Sequence, residues 1–167
     1  MAQADTAIIR AALDGATYRD IEIEASKSLY TLAEAIVSAF GFDFDHAFGF
    51  YGGDPFAARR GEPRYELFAD MGEADPGVVG VKKTKVSEAF PALGGSLLFL
   101  FDYGDEWRFR VKLKAKGNKV AKTRYPRVVA SQGEAPEQYP EPGEMADDRP
   151  RYGYNLLTGQ KIKIGRR

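Results

Sequence analysis

A strict alternation of apolar and charged residues predicts one long β-strand that begins at Trp107. Apolar and basic side chains take alternate positions from there to Lys116. Because the side chains of a strand point to opposite faces in turn, one face of this strand belongs in the core and the other in solvent. The solvent face consists of five cations, called here the basic row: Arg108, Arg110, Lys112, Lys114 and Lys116.

Similar patterns predict the other strands of an antiparallel sheet. Thr6–Leu13 and Tyr18–Ala25 alternate on either side of Asp14-Gly15, a dipeptide typical of hairpin turns. Ser96–Phe101 is apolar throughout, as expected of a strand that is covered on both faces. Shorter strands are predicted at Ala47–Tyr51, at Tyr65–Phe68, within Val120–Val129 and within Tyr152–Ile164.

Two helices complete an α+β fold class, in which both helices pack on the antiparallel sheet to form an α/β roll. Thr31 and Glu34 are spaced as a capping box, and apolar residues then recur every three or four positions up to Gly41. A shorter helix is predicted over Lys85–Phe90, ended by Pro91.

The chain length of 167 residues predicts a single domain over residues 1–167. Residues 54–80 are rich in proline and glycine, and we expect them to form an excursion over the surface. Residues 131–167 are predicted to be a proline- and acid-rich segment, weakly structured over 131–150, followed by a C-terminal extension.

Composition excludes several classes of site. The chain has no cysteine, which excludes disulfides, thiolate metal sites and thiol nucleophiles. Its single histidine, His46, excludes any metal centre that needs two imidazoles. We expect no cofactor, because no nucleotide-binding or nucleophile motif is present. No signal-peptide pattern and no run of about 20 apolar residues occurs, so we expect a cytoplasmic protein with no membrane partner.

Opposite charges are segregated along the chain, although basic and acidic residues are equal in number at 24 each. Neighbours in the basic row are predicted to lie about 6.6–7 Å apart, close to the phosphate spacing along one nucleic-acid strand, so the row is a candidate nucleic-acid site. The alternative is structural. Asp20, Glu22 and Glu24, called here the acidic row, have the same two-residue period, and opposite charges on adjacent strands stabilise a sheet.

Two smaller features are candidates for metal binding or acid–base chemistry. Asp102, Asp105 and Glu106 surround the turn at Tyr103-Gly104, where carboxylates either hold a cation such as Mg²⁺ or Ca²⁺ or accept hydrogen bonds from turn amides. His46 is a candidate general base, although no nucleophile lies at a diagnostic spacing from it.

Several motifs follow one another in a recognisable order. They are a strand pair, the helix end Phe40-Gly41-Phe42, then His46, the turn Asp102-Tyr103-Gly104-Asp105-Glu106-Trp107 and the segment Tyr125-Pro126-Arg127. In this order the chain resembles the plasmid pRiA4b open-reading-frame-three-like family over residues 6–140. The family occurs on plasmids, on mobile elements and in many bacterial genomes, and the resemblance implies a compact α+β roll rather than a particular biochemical activity.

The chain departs from the family pattern at three places. Phe42 stands where the family tends to have tryptophan, and Phe109 stands where it often has histidine. Ala135-Pro136-Glu137-Gln138-Tyr139 replaces a segment that tends to read Pro-Pro-Glu-Asp. A family site built from that histidine and that aspartate would therefore be broken here, which weakens the case for an enzyme.

These observations favour a bacterial binding or interaction module with an unknown protein partner. One alternative is a nucleic-acid-associated protein that uses the basic row. The other is a metal-dependent enzyme at the Asp102–Glu106 turn.

Overall fold

The computed structural model describes residues 4–57, 59–140, 151–154 and 161–164. The helices are α1 (Leu29–Ala39), α2 (Leu67–Asp70) and α3 (Val86–Ala89). The strands are β1 (Thr6–Ala12), β2 (Tyr18–Glu24), β3 (Phe48–Tyr51), β4 (Arg64–Glu66), β5 (Val79–Gly80), β6 (Ser96–Phe101), β7 (Trp107–Gly117), β8 (Arg127–Gln132), β9 (Arg151–Tyr154) and β10 (Lys161–Ile164).

Eight of these strands form one sheet in the order β5-β4-β3-β6-β7-β1-β2-β8. All of its pairings are antiparallel except that of β4 with β5, and β9 pairs with β10 in a separate two-stranded sheet. The α+β class is thus confirmed. The predicted two-helix α/β roll is not confirmed, because α2 and α3 are single turns of 4 residues and only α1 is longer.

Helix α1 covers one face of the sheet, called here the inner face. Its buried side chains Leu32 and Ile36 belong to the same core as Ile9, Ile21 and Phe109 from three strands. The helix begins one turn earlier than the sequence predicts, because Ser28 is the cap: its Oγ accepts a hydrogen bond from the Thr31 amide at 3.2 Å. The residue that precedes α3, Lys85, makes no side-chain capping bond, and the hydroxyl of the neighbouring Thr84 donates to the carbonyl of Gly80 at 2.9 Å.

The described residues cover the opposite, outer face of the sheet only in part. Residues 54–80 contain β4, α2 and β5, so this predicted excursion includes regular structure, and Tyr65–Phe68 is a strand only as far as Glu66. Over β3, the Tyr51 hydroxyl donates to Glu66 Oε2 at 2.5 Å and lies 2.7 Å from the Tyr103 hydroxyl. The Tyr103 ring contacts the Phe68 ring, with 5.3 Å between the two centroids. These side chains therefore cover the outer face over β3.

Arg19 joins the end of β8 to the rest of the fold. Its guanidinium donates to the carbonyls of Gln132 and Gly133 and to that of Ala39 at the end of α1. Gly133 has φ of 77°, and a Cβ there would lie 2.5 Å from the carbonyl oxygen of Ala16. The chain therefore leaves β8 through a turn that only glycine fits without strain.

The remaining predictions concern the ends and the boundaries of the chain. The strand predicted within Val120–Val129 runs instead over Arg127–Gln132, and residues 141–150 of the predicted acid-rich segment lie outside the described residues. None of the helices in the described part of the chain is long and apolar enough to cross a membrane. The single-domain division and the cytoplasmic location stay predictions.

Candidate functional site

The basic row lies on β7 and faces solvent over its central part. Arg110, Lys112 and Lys114 are exposed, while the alternate residues of the strand are buried in the core. None of these three cations forms an ion pair with a described residue. Arg108 differs, because its guanidinium is 2.8 Å from the Glu106 carboxylate.

A β-bulge interrupts the row before its last member. β1 pairs with β7 such that Ile9 is opposite Leu113 but Ile8 is opposite Ala115, which leaves Lys114 as the extra residue. Beyond the bulge, Lys116 is opposite the core residue Ala7, so it belongs to the inner face. Its ammonium group donates to the carbonyl of Pro91 at 3.2 Å. The five-residue row of the sequence is therefore a three-residue row on the outer face.

The acidic row does not pair with the basic row, because β1 lies between β2 and β7. Instead, each acid has another partner: Asp20 binds Arg10 at 2.8 Å, Glu22 binds Arg127 at 2.8 Å and Glu24 binds Lys119 at 2.6 Å. The hydrogen bond and charge of Lys119 lower the pKa of Glu24, and those of Asp20 raise the pKa of Arg10. The carboxylates on β2 are thus neutralised without the cations of β7.

Arg10 also stacks on an aromatic ring that the sequence did not single out. Its guanidinium carbon lies 3.7 Å from the centroid of the Tyr18 ring. Two hydrogen bonds to Asp20 fix the guanidinium plane, one from Nε at 2.8 Å and one from Nη2 at 2.9 Å. The register explains the contact, since Arg10 is opposite Asp20 and Ala12 is opposite Tyr18 on the same face.

The candidate metal turn is organised by its own hydrogen bonds. Asp102 is only 5% exposed and has φ of 64°, and its Oδ1 accepts from the amides of Gly104 at 3.0 Å and Asp105 at 3.2 Å. Glu106 is directed to Arg108. No group of three or more His, Cys, Asp or Glu side chains that could hold a metal occurs within the ranges that the structure describes.

His46 lies between two carboxylates. Its Nδ1 is 2.8 Å from Asp45 Oδ1, and its Nε2 is 3.6 Å from Asp102 Oδ2. The hydrogen bond to Asp45 and the charges of Asp102 and Asp105 raise the pKa of His46, and the same hydrogen bond lowers the pKa of Asp45. These contacts favour the protonated imidazolium, whereas a general base must be unprotonated to accept a proton.

The segment that replaces the family's Pro-Pro-Glu-Asp also reaches this histidine. The Tyr139 hydroxyl donates to Asp45 Oδ2 at 2.8 Å and is 3.1 Å from His46 Nδ1, while the Gln138 side chain accepts from the Asp43 amide at 2.6 Å. Desolvation and the Asp45 hydrogen bond raise the pKa of Tyr139 to about 12. Phe109 is fully buried in the core, so the ring that stands in place of the family's histidine faces away from solvent.

Comparison with known proteins gives a family but no activity. A solved structure described as a protein of unknown function from Methanosarcina mazei Go1 is similar in fold, with a TM-score of 0.61 and 21% sequence identity over 75% of this chain and 68% of the other. No curated protein matches the chain. The model of the family described as plasmid pRiA4b ORF-3-like protein matches residues 9–141. The chain therefore belongs to the plasmid pRiA4b ORF-3-like family.

Proposed function

We propose that this protein is a binding module that holds a nucleic-acid backbone on the outer face of its sheet. Arg110, Lys112 and Lys114 are the residues that contact phosphates. The observation that carries the proposal is that these three cations are exposed and form no ion pair with a described residue, while every acid of the acidic row has a separate basic partner.

The geometry of the strand suits a polyanion. Residues that alternate along one face of a strand are about 6.6–7 Å apart, so Arg110 and Lys112 can each contact a successive phosphate of one extended strand. Lys114, at the bulge, continues the row. Three phosphate contacts give affinity that depends on salt and little on sequence, with a slope of about −2 for log K against log[salt] on a single strand.

The exposed apolar side chains give less support to a protein partner than the exposed cations give to a nucleic acid. In the described ranges the large exposed ones are dispersed, and only Val128 and Val129 are adjacent in the sequence. A contiguous exposed apolar patch larger than a few hundred Å² often marks an interface with another protein. The exposed cations are therefore the more specific feature of this surface.

The test is a charge reversal on β7. We expect the double variant Lys112→Glu/Lys114→Glu to lose binding to a fluorescein-labelled 12-nucleotide oligonucleotide, measured by anisotropy at low salt. The matched control is Lys82→Glu/Lys83→Glu, which makes the same charge change at residues outside the basic row, with Lys82 beside Tyr30 of α1. Equal loss in both variants, or no binding by the unmodified protein, would contradict the proposal.

A further inference from the structure

We infer that the Arg10–Tyr18 stack receives a nucleobase, so that the ligand of the basic row is single-stranded. This inference rests on the proposed function and names the form of nucleic acid that the site takes. It assigns the phosphates to β7 and the bases to β1 and β2.

The sheet register places the stack beside the cations. Ala12 is opposite Arg110 on one side and opposite Tyr18 on the other, so the three residues form one row across β7, β1 and β2. Adjacent strands lie about 4.8 Å apart, which puts the backbones of Arg110 and Tyr18 roughly 10 Å apart. The side chain of Ala12 is a single methyl group, so it leaves room above β1 between the Arg110 side chain and the Tyr18 ring.

The next row strengthens the arrangement. Lys112 is opposite Arg10, and Arg10 is opposite Asp20. The Arg10 side chain is 30% exposed, and its plane is held by both Asp20 oxygens. Its charge is therefore already matched, and what it offers a ligand is a fixed planar surface on the Tyr18 ring.

Unpaired bases stack on aromatic rings and on guanidinium planes. In a duplex the faces of the bases are covered by their neighbours, so a duplex gains only the phosphate contacts at this site. A single strand whose phosphates lie along Arg110 and Lys112 can turn a base across Ala12 onto the stack. In this arrangement the phosphate contacts lie on β7 and the Tyr18 ring lies on β2, with one strand, β1, between them.

The experiment compares three ligands of equal length: oligo-dT, an abasic oligonucleotide with the same phosphate backbone, and a dA–dT duplex. We expect oligo-dT to bind about five- to 150-fold more tightly than the abasic strand, the range given by stacking of one base. Tyr18→Leu lowers this preference, because the Arg10 guanidinium loses the ring on which it stacks, whereas Tyr18→Phe retains it. Ala12→Leu, which fills the space between Arg110 and Tyr18, also removes it while leaving the ring in place.

Each outcome is decisive. Equal binding of oligo-dT and the abasic strand by the unmodified protein overturns the stacking inference and leaves backbone binding standing. Duplex binding as tight as that of oligo-dT, or a preference that is undiminished in Tyr18→Leu, also overturns it. Failure of all three ligands to bind contradicts the proposed function itself. A thermal melt of each variant verifies that its fold is intact.

Discussion

Tyr51 connects the sheet to the residues that cover its outer face, and removing its hydroxyl should measurably destabilise the protein. The side chain is 1% exposed, and its single proton is donated to Glu66 Oε2. The Tyr103 hydroxyl must then be the donor in its 2.7 Å contact with the Tyr51 oxygen. Burial and the bond to Glu66 raise the pKa of Tyr51 far above its ordinary value, and burial raises that of Tyr103 to about 12. Both hydroxyls therefore remain protonated in neutral solution.

The magnitude follows from the two bonds that Tyr51→Phe deletes. A hydrogen bond to a charged group contributes about 1.5–3 kcal/mol and a neutral one about 0.5–1.5 kcal/mol. Because Glu66 is partly exposed and regains water, we expect a loss of about 2–3 kcal/mol in the free energy of unfolding. For a chain of this length that lowers the melting temperature by roughly 4–12 °C.

The assay is urea unfolding at pH 7, followed by circular dichroism, with the slope m compared between variants. Tyr103→Phe is the matched control, since it deletes one neutral hydrogen bond and keeps the bond from Tyr51 to Glu66; we expect a loss of about 1 kcal/mol. A loss below about 0.5 kcal/mol for Tyr51→Phe, at unchanged m, would refute the reasoning, because changes of that size are usual for surface substitutions.

Three further predictions concern other parts of the fold. His46, the only histidine, should titrate above its ordinary pKa of about 6.5 because of its hydrogen bond to Asp45 and the nearby acids. The protonated imidazole then adds stability that is complete below pH of about 6.5 and is lost as the pH rises through the pKa of the folded state. An NMR titration of its imidazole checks this, and a midpoint that does not fall in Asp45→Asn would argue against it. Gly133→Ala should destabilise by about 1–3 kcal/mol, whereas Gly15→Ala, where a Cβ meets nothing within 4 Å, should have little effect in thermal melts; similar melting temperatures for the two would count against the close contact at residue 133. Arg19→Met should lower the free energy of unfolding by about 2–4 kcal/mol, because it deletes the bonds to Gln132, Gly133 and Ala39; hydrogen exchange in β8 no faster than in the unmodified protein would contradict this.

Patterns within a single strand or helix were sufficient to predict the longer elements, β1, β2, β6, β7 and α1. The alternation from Trp107 predicts β7, and the Asp14-Gly15 turn predicts the β1–β2 hairpin, because both signals are contained in a few consecutive residues. The start of α1 was misplaced by one turn because Ser28 and Thr31 are both good caps, and only the observed bond from the Thr31 amide distinguishes them.

Contacts between distant segments could not be predicted in this way. Nothing local indicates that β1 separates β2 from β7, or that a bulge at Lys114 moves Lys116 to the inner face. The Arg10–Tyr18 stack depends on the register of one hairpin, and the contact of Tyr139 with His46 joins residues 93 positions apart. The sequence pattern therefore predicts the cations of the candidate site, but neither the point at which the basic row ends nor the residues that lie beside it.

The position of β1 between β7 and β2 also determines the order in which the sheet can be completed. β1 has one partner, β2, that follows it immediately and another, β7, that begins at Trp107. During synthesis at about 5–20 residues per second, the hairpin leaves the ribosome well before β7 and exposes an unpaired edge in the meantime. Nascent chains that stop before β7 should therefore self-associate through β1, and folding of the complete chain should be limited by closure of this long loop.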